Sequence, residues 1–301
     1  MITDNFADFP WPPLPGSPDR PVWTGRGFRV GGARAPFLRY GQSQDHWDDS
    51  LTRLHEDAAG PDHFIDRASR AHALGELRRF LKTPSPVILE VGCSSGFLLP
   101  LLQSHFPGAL VIGSDSFPQA LERISERDPS LALAQLDLTA CPFPENCVDA
   151  VVLLNVLEHI EDDGKALSET HRVLKPGGIA VVEVPAGPGL YDIYDELLKH
   201  QRRYALQPLR SRAAALGFEV LQASHLGFFL YLPFAWVKKR NRRLSRAEAE
   251  AKQLRVAGQI SRSRRNRPMD WVMGMELALG RWVSFPFGIR CLLTLRKAGG
   301  M

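Results

Sequence analysis

Val87-Ile88-Leu89-Glu90-Val91-Gly92-Cys93-Ser94-Ser95-Gly96 decides how this 301-residue chain folds. An apolar run of strand length carries one carboxylate, then drops into a turn with two glycines. Phe97-Leu98-Leu99-Pro100-Leu101-Leu102 follows and opens a helix. Strand, glycine turn and helix start together form a cradle for a small molecule. Glycine lets the backbone approach a ligand, and the first turn of a helix offers free N–H groups. The carboxylate argues against a pyrophosphate and for a ligand that carries positive charge.

The dinucleotide fingerprint G-x-G-x-x-G is the obvious rival. Aligned on Gly92, its next glycines fall on Ser94 and Phe97, and both miss. The turn here is G-x-x-x-G.

Outward from this turn, strands and helices alternate. Strands are predicted at 87–91, 110–114, 131–136, 150–154 and 179–184, with late strands at 218–223 and 288–295. Helices are predicted at 119–126, 164–174 and 269–287. A further helical period runs from Asp45 to Phe80. Lys175-Pro176-Gly177-Gly178 reads as a sharp turn. This alternation predicts an α/β, Rossmann-like, doubly wound and mostly parallel seven-stranded sheet. Residues 1–45, with Pro10, Pro12, Pro13, Pro15 and Pro18, read as an extended or disordered arm. Residues 46–225 read as the ligand-binding domain and 226–287 as a lid and basic helical insertion. Residues 288–301 read as the last strand and tail.

In an open parallel sheet, ligands collect at the carboxyl ends of the strands. The second strand ends at Asp115-Ser116, nineteen residues beyond Gly96, where an acid can accept from ribose hydroxyls; its alternative is a helix cap. The third ends at Asp137-Leu138, whose carboxylate could take an adenine amino group. The fourth ends at Asn155-Val156-Leu157-Glu158-His159.

These segments as a set resemble the class I S-adenosylmethionine-dependent methyltransferases, in the bacterial small-molecule branch of the type 11 and 23 kind. The strand-turn resembles their E/D-x-G-x-G-x-G motif, with Ser94 for the middle glycine. Leu136-Asp137 through Pro142-Phe143-Pro144-Glu145-Asn146-Cys147-Val148-Asp149 resembles their D…L-P-F-x-D-x-S-F-D pattern, with Cys147 for Ser and Val148 for Phe. Leu157-Glu158-His159 resembles their L-E-H motif, and Arg172-Val173-Leu174-Lys175-Pro176-Gly177-Gly178 their R-x-L-K-P-G-G turn.

The resemblance covers roughly residues 85–225 and implies S-adenosylmethionine as cofactor. It implies that Glu90, Gly92, Cys93, Ser94, Ser95 and Gly96 face the methionine part. Asp115 with Ser116 would hold the ribose, Asp137 with Leu138 the adenine, and Asn155 and Leu157 the sulfonium side. His159 is a candidate general base, with a structural cap as its alternative. Tyr191 to Tyr204 resembles a D-E-x-x-x-H-x-R-R-Y segment of the same branch. Substrate pocket, lid latch and salt-bridge cluster are all open readings of it. His200 is the second candidate base. Tyr191, Tyr194 and Tyr204 are candidate substrate residues, with Arg202 and Arg203 as candidate anion clamps.

Composition sets limits. Apolar content of 44% and charged content of 23% are those of a globular protein. Cys93, Cys141, Cys147 and Cys291 make no C-x-x-C and no metal spacing, so free thiols and no metal are expected. Residues 1–150 hold 13 Lys and Arg against 19 Asp and Glu; residues 151–301 hold 24 against 14.

The basic excess gathers in 238–267, behind the apolar run Leu226–Val237. That pairing fits an anionic membrane surface or a solvated lid helix. The rival, a nucleic-acid-binding protein using 238–267 as a platform, lacks aromatics among its cations. Phe228 and Phe229 are candidate pocket residues, which would make the small-molecule acceptor apolar or amphipathic. With no basic-apolar leader at Met1, the expectation is a cytoplasmic chain, with contact to an inner membrane face left open. No oligomeric state is legible.

Overall fold

Val87–Val91 is buried at every position, which a strand sustains only when both faces of its sheet are covered. The computed structural model describes residues 9–41, 61–241 and 266–299. Three short strands, β1 (Val22–Trp23), β2 (Phe28–Val30) and β3 (Ala33–Ala35), form a small antiparallel sheet. β4 (Leu38–Arg39) follows. The helix α1 (Phe64–Phe80) precedes the central strand β5 (Val87–Val91). Then come α2 (Leu99–His105), β6 (Leu110–Asp115), α3 (Pro118–Arg127), β7 (Ala132–Gln135), β8 (Val148–Leu154), α4 (Asp163–Val173) and β9 (Leu174–Pro185). After these lie α5 (Ile193–Leu197), α6 (Leu206–Ala215), β10 (Phe218–Leu226), α7 (Tyr231–Asn241), α8 (Arg267–Gly280) and β11 (Arg290–Lys297).

The main sheet has eight strands in the order β10-β11-β9-β8-β5-β6-β7-β4. Strands β4 to β9 pair in parallel, and β11 enters antiparallel between β9 and β10. The chain winds outward in both directions from β5, so the switch point lies between β5 and β8, above Glu90 and Gly92. Alternate residues divide the core. Leu89, Val151 and Ala180 pack on the face covered by α4 and α6. Ile88, Ala150 and Ile179 pack under α1, α2 and α3.

Three expectations change. The sheet gains an eighth strand, β4, at its edge. Residues 9–41 do not stand off as an arm: Trp11 is 2% exposed and Phe28 1% exposed. Trp11 packs edge-on against Phe28 and Phe143, at ring distances of 4.8 and 5.9 Å. Lys175–Gly178 lies inside β9, where the pairing register with β8 jumps from Val148–Leu174 to Ala150–Ile179. The first part of the helix expected from Asp45, most of the basic block, and the chain ends lie outside the described residues.

Candidate active site

A cavity of about 1510 Å³ opens at the carboxyl ends of β5, β6, β7 and β8. One drug-sized ligand needs roughly 300–1,000 Å³, so the space admits a nucleoside-sized cofactor and a second molecule. Its floor is the β5 turn. Gly92 has φ of 69°, and a Cβ there would meet Val156 Cγ2 at 2.7 Å. Ser94 keeps a left-handed φ of 48° without being glycine. Gly96 faces α3 instead, where its Cβ position is 3.0 Å from Ile124 Cδ1, and it does not line the cavity. Cys93, Ser94 and Ser95 do line it.

Glu90 is 6% exposed, and its Oε2 has no hydrogen-bond partner. Burial pushes its carboxyl up to about 8, with the Arg70 guanidinium pulling the other way. A buried acid left short of a cation fits a ligand ammonium.

Asp115 is 8% exposed at the end of β6. Its Oδ2 accepts from the Ser94 N–H at 2.9 Å, and its Oδ1 from the Phe117 N–H at 3.0 Å. It therefore ties the β5 turn to the start of α3 while facing the cavity beside Ser116. Asp137 lines the cavity with Leu138, and its Oδ1 accepts from the Thr139 N–H and hydroxyl, both at 2.8 Å.

At the fourth strand end Asn155 lines the cavity and Leu157 does not. Asn155 has φ of 56°. Its side-chain oxygen accepts from Arg290 on β11, which also meets Asp66 at 3.0 Å and Glu183 at 3.1 Å. Leu157 is 0% exposed and off the cavity; Val156 takes its place in the lining. Glu158 and His159 do line the cavity. Arg70, Arg290, Val156 and Glu158 are site residues that sequence reasoning misses. A single Arg in a late strand carries no local signal, and Glu158 was visible only as the middle of a motif.

The segment from Tyr191 to Tyr204 is mostly a buried polar knot. Asp195 is 0% exposed and pairs with Arg203 Nη1, His200 Nδ1 and Lys238 Nζ, each at 2.8 Å. Lys238 also reaches Asp192 at 2.6 Å, and Asn241 donates to Asp192 at 3.0 Å. Hydrogen bonds from His200 and the charges of Lys238 and Arg203 hold the Asp195 carboxyl well below its usual range, against the opposing effect of burial. Burial draws the Lys238 ammonium down.

The proposed anion clamps are thus engaged. Arg203 is spent on Asp195 and the Ala186 carbonyl. Arg202 is spent on Asp163 and the Glu161 carbonyl. Tyr191 donates to the His200 carbonyl, and Tyr204 to the Leu157 carbonyl and Asp163. Neither tyrosine lines the cavity, whereas Tyr194 does.

Phe228 and Phe229 also turn away from it. Phe228 stacks on Phe285 at 5.0 Å, and Phe229 packs edge-on against Phe228 at 5.3 Å. An apolar wall comes instead from Leu230 and, on α7, Pro233, Phe234 and Val237. His159 and His200 also line the cavity and meet edge-on at 4.8 Å.

Comparison with known proteins agrees with this architecture. Residues 89–182 match the family described as a methyltransferase domain. A demethylmenaquinone methyltransferase of Thermus thermophilus is 35% identical over 106 residues, 34% of this chain and 48% of that protein. A trans-aconitate 2-methyltransferase of Methylobacterium radiotolerans is 34% identical over 122 residues, 40% of this chain and 46% of that protein. The chain spans about half the length of these curated relatives. Among solved structures, the cyclase SpnF superposes with a TM-score of 0.57 at 19% identity, covering 88% of this chain and 98% of that one. That likeness is one of fold; reaction type is set by the site.

Proposed function

We propose that this chain, whose central domain is a class I S-adenosylmethionine-dependent methyltransferase domain of the type 11 kind, transfers a methyl group from S-adenosylmethionine to a small apolar or amphipathic acceptor. The observation that carries the reading is Glu90. A buried carboxyl short of a partner sits beside a glycine turn too tight for a Cβ, with Asp115 at the neighbouring strand end. That set fits the ammonium, main chain and ribose of the cofactor. Glu90 would hold the ammonium, the Gly92–Ser95 backbone the methionine chain, Asp115 with Ser116 the ribose, and Asp137 with Leu138 the adenine edge.

When bound, S-adenosylmethionine supplies a methyl group that is already activated. The protein's part is to bind, orient and exclude water, which can supply roughly 7–11 kcal/mol of the barrier. The acceptor would lie between the Pro233–Val237 wall and the His159–His200 pair. The two imidazoles are the groups on that wall able to receive a proton from a hydroxyl acceptor.

An acceptor drawn from a membrane surface fits the outer face of the lid. Leu232 is 77%, Trp236 62%, Trp271 69% and Trp282 89% exposed. Lys239, Arg240, Arg267 and Arg281 are exposed beside them. Exposed aromatics rimmed by cations suit an anionic lipid interface. The platform reading of 238–267 is not favoured, because its first cation, Lys238, is buried in the knot. Among the described residues, no helix is long and apolar enough to cross a membrane.

The test has two arms. Calorimetry should give saturable S-adenosylhomocysteine binding and none with NAD. Incubation of native lipid and metabolite extracts with isotope-labelled S-adenosylmethionine should then yield a labelled product in the lipid fraction. Binding of NAD in place of S-adenosylhomocysteine refutes the cofactor reading; a labelled product confined to the polar fraction refutes the acceptor class.

A further inference from the structure

Glu158, His159 and His200 line the cavity, and each offers one ligand atom that lies within 4.8 Å of the other two. We propose that they form a divalent transition-metal site of two imidazoles and one carboxylate, with its open positions toward the acceptor space. Sequence spacing hides the set, because His200 lies far along the chain from the Glu158-His159 pair.

Two independent features point to a cation here. The first is Glu158. It is 0% exposed, and neither carboxylate oxygen has a hydrogen-bond partner among the described residues. The guanidiniums nearest in charge are committed elsewhere: Arg203 to Asp195 and the Ala186 carbonyl, Arg290 to Asp66, Glu183 and Asn155. A buried carboxylate without a partner is costly and is relieved by a cation that brings its own charge.

The second is the setting of His200. Its Nδ1 is 2.8 Å from Asp195 Oδ1, which presents Nε2, with its lone pair, on the other side of the ring. A carboxylate behind a histidine is how metal-ligating imidazoles are oriented and made more basic. Asp195 is in turn fixed by Arg203 and Lys238.

Two histidines with one carboxylate suit zinc or a neighbouring first-row ion, and three protein ligands leave room for a further oxygen. Bonds of about 2.0–2.2 Å place neighbouring ligands roughly 3.3 Å apart, so side-chain rotations of about an ångström close the set. Resting on the methyl-transfer reading above, the ion would bind an acceptor hydroxyl and lower its pKa. With both imidazoles engaged as ligands, the O–H bond would break with its proton passing to water rather than to His159 or His200. The oxygen pair then forms the bond to the methyl carbon, while the S–CH₃ pair stays on sulfur.

The test needs no activity. The full chain, stripped with chelator, is titrated with Zn²⁺ against a chromophoric competitor, and separately with Co²⁺. One equivalent should bind, with a visible Co²⁺ spectrum free of thiolate charge transfer. Glu158→Gln and His159→Gln should each weaken Zn²⁺ by about 10–100-fold or more, while S-adenosylhomocysteine binding stays intact and certifies the fold. Wild-type affinity in both variants, no binding in the parent, or thiolate bands from the buried cysteines would each overturn the site. Loss of S-adenosylhomocysteine binding by the parent chain would instead refute the methyltransferase reading and leave the metal result to stand or fall alone.

Discussion

Glu90 shows what a buried, partnerless carboxyl costs the protein that carries it. Its carboxyl titrates at about 8 against an ordinary 4.5, because burial outweighs the pull of Arg70. A carboxyl raised on folding binds its proton more tightly in the native state. Below pH 4.5 it carries no penalty; as pH climbs from there to about 8, the folded state loses stability on its account. Glu90→Gln removes the charge and keeps the shape. The variant without ligand should melt higher than the parent at pH 8 and about equally at pH 4.5. It should bind S-adenosylhomocysteine more weakly by ~1.5–3 kcal/mol, the range for a hydrogen bond to a charged group. Thermal melts at the two pH values and calorimetry check both halves.

Asp115 should behave differently, because its two oxygens hold the Ser94 and Phe117 N–H groups. Asp115→Ala should lose stability as well as affinity, by about 1–3 kcal/mol for the two N–H groups left without their acceptor. Unchanged S-adenosylhomocysteine affinity in a folded variant would reduce Asp115 to a tie between the β5 turn and the chain before α3.

At the scale of elements, the lid is held by two buried polar ties. Lys238 pins α7 to Asp192 and Asp195. Glu276 on α8 accepts from the N–H groups of Gly227, Phe228 and Phe229, at 2.6 to 3.3 Å. Removing one partner of a buried ion pair costs about 3–5 kcal/mol, and this lid can relieve that by detaching. Lys238→Ala should therefore raise hydrogen exchange across 231–241 while β5 and β8 stay protected. Uniform protection across all three segments would mean that α7 is held by its apolar face. Replacing Phe228 and Phe229 by Ala should lower the melting temperature and leave the acceptor KM unchanged, since both rings pack on the 285–287 loop.

These ties explain what the sequence could and could not show. Parallel strands buried on both faces read as apolar runs, so β5 was legible to the residue. β8 begins two residues early because Asp149 interrupts the run. Its carboxylate is spent on the Val87 N–H and Lys175, both at 2.8 Å, a pairing no window of sequence displays. Strand-end acids were legible because the fold fixes their offset from the turn. Lys238 read as part of a charged run because its partners lie 46 and 43 residues upstream. Prolines mask the aromatics of residues 9–41, although Phe9, Trp11 and Tyr40 all pack edge-on against Phe143.

For the whole molecule, the arrangement of polar and apolar surface is lopsided. The strand-end side of the cavity carries the carboxylates of Glu90, Asp115 and Asp137, while Trp236 on α7, Trp271 on α8 and Trp282 just past α8 are exposed. Large apolar side chains this exposed are expensive in water, and Arg240 over Trp236 at 4.9 Å offsets only part of that. A lipid interface accepts indole rings and adds roughly 1 kcal/mol for each cation near an anionic surface. The full chain should co-sediment with phosphatidylglycerol vesicles and much less with phosphatidylcholine ones. The difference should shrink as salt is raised, because the surface potential is screened within about a Debye length. Replacing the three tryptophans by Gln should abolish sedimentation and leave S-adenosylhomocysteine binding unchanged, since none lines the cavity. Equal sedimentation with both vesicle types, or none with either, would mean that the acceptor reaches the cavity from water and that the exposed indoles serve another contact.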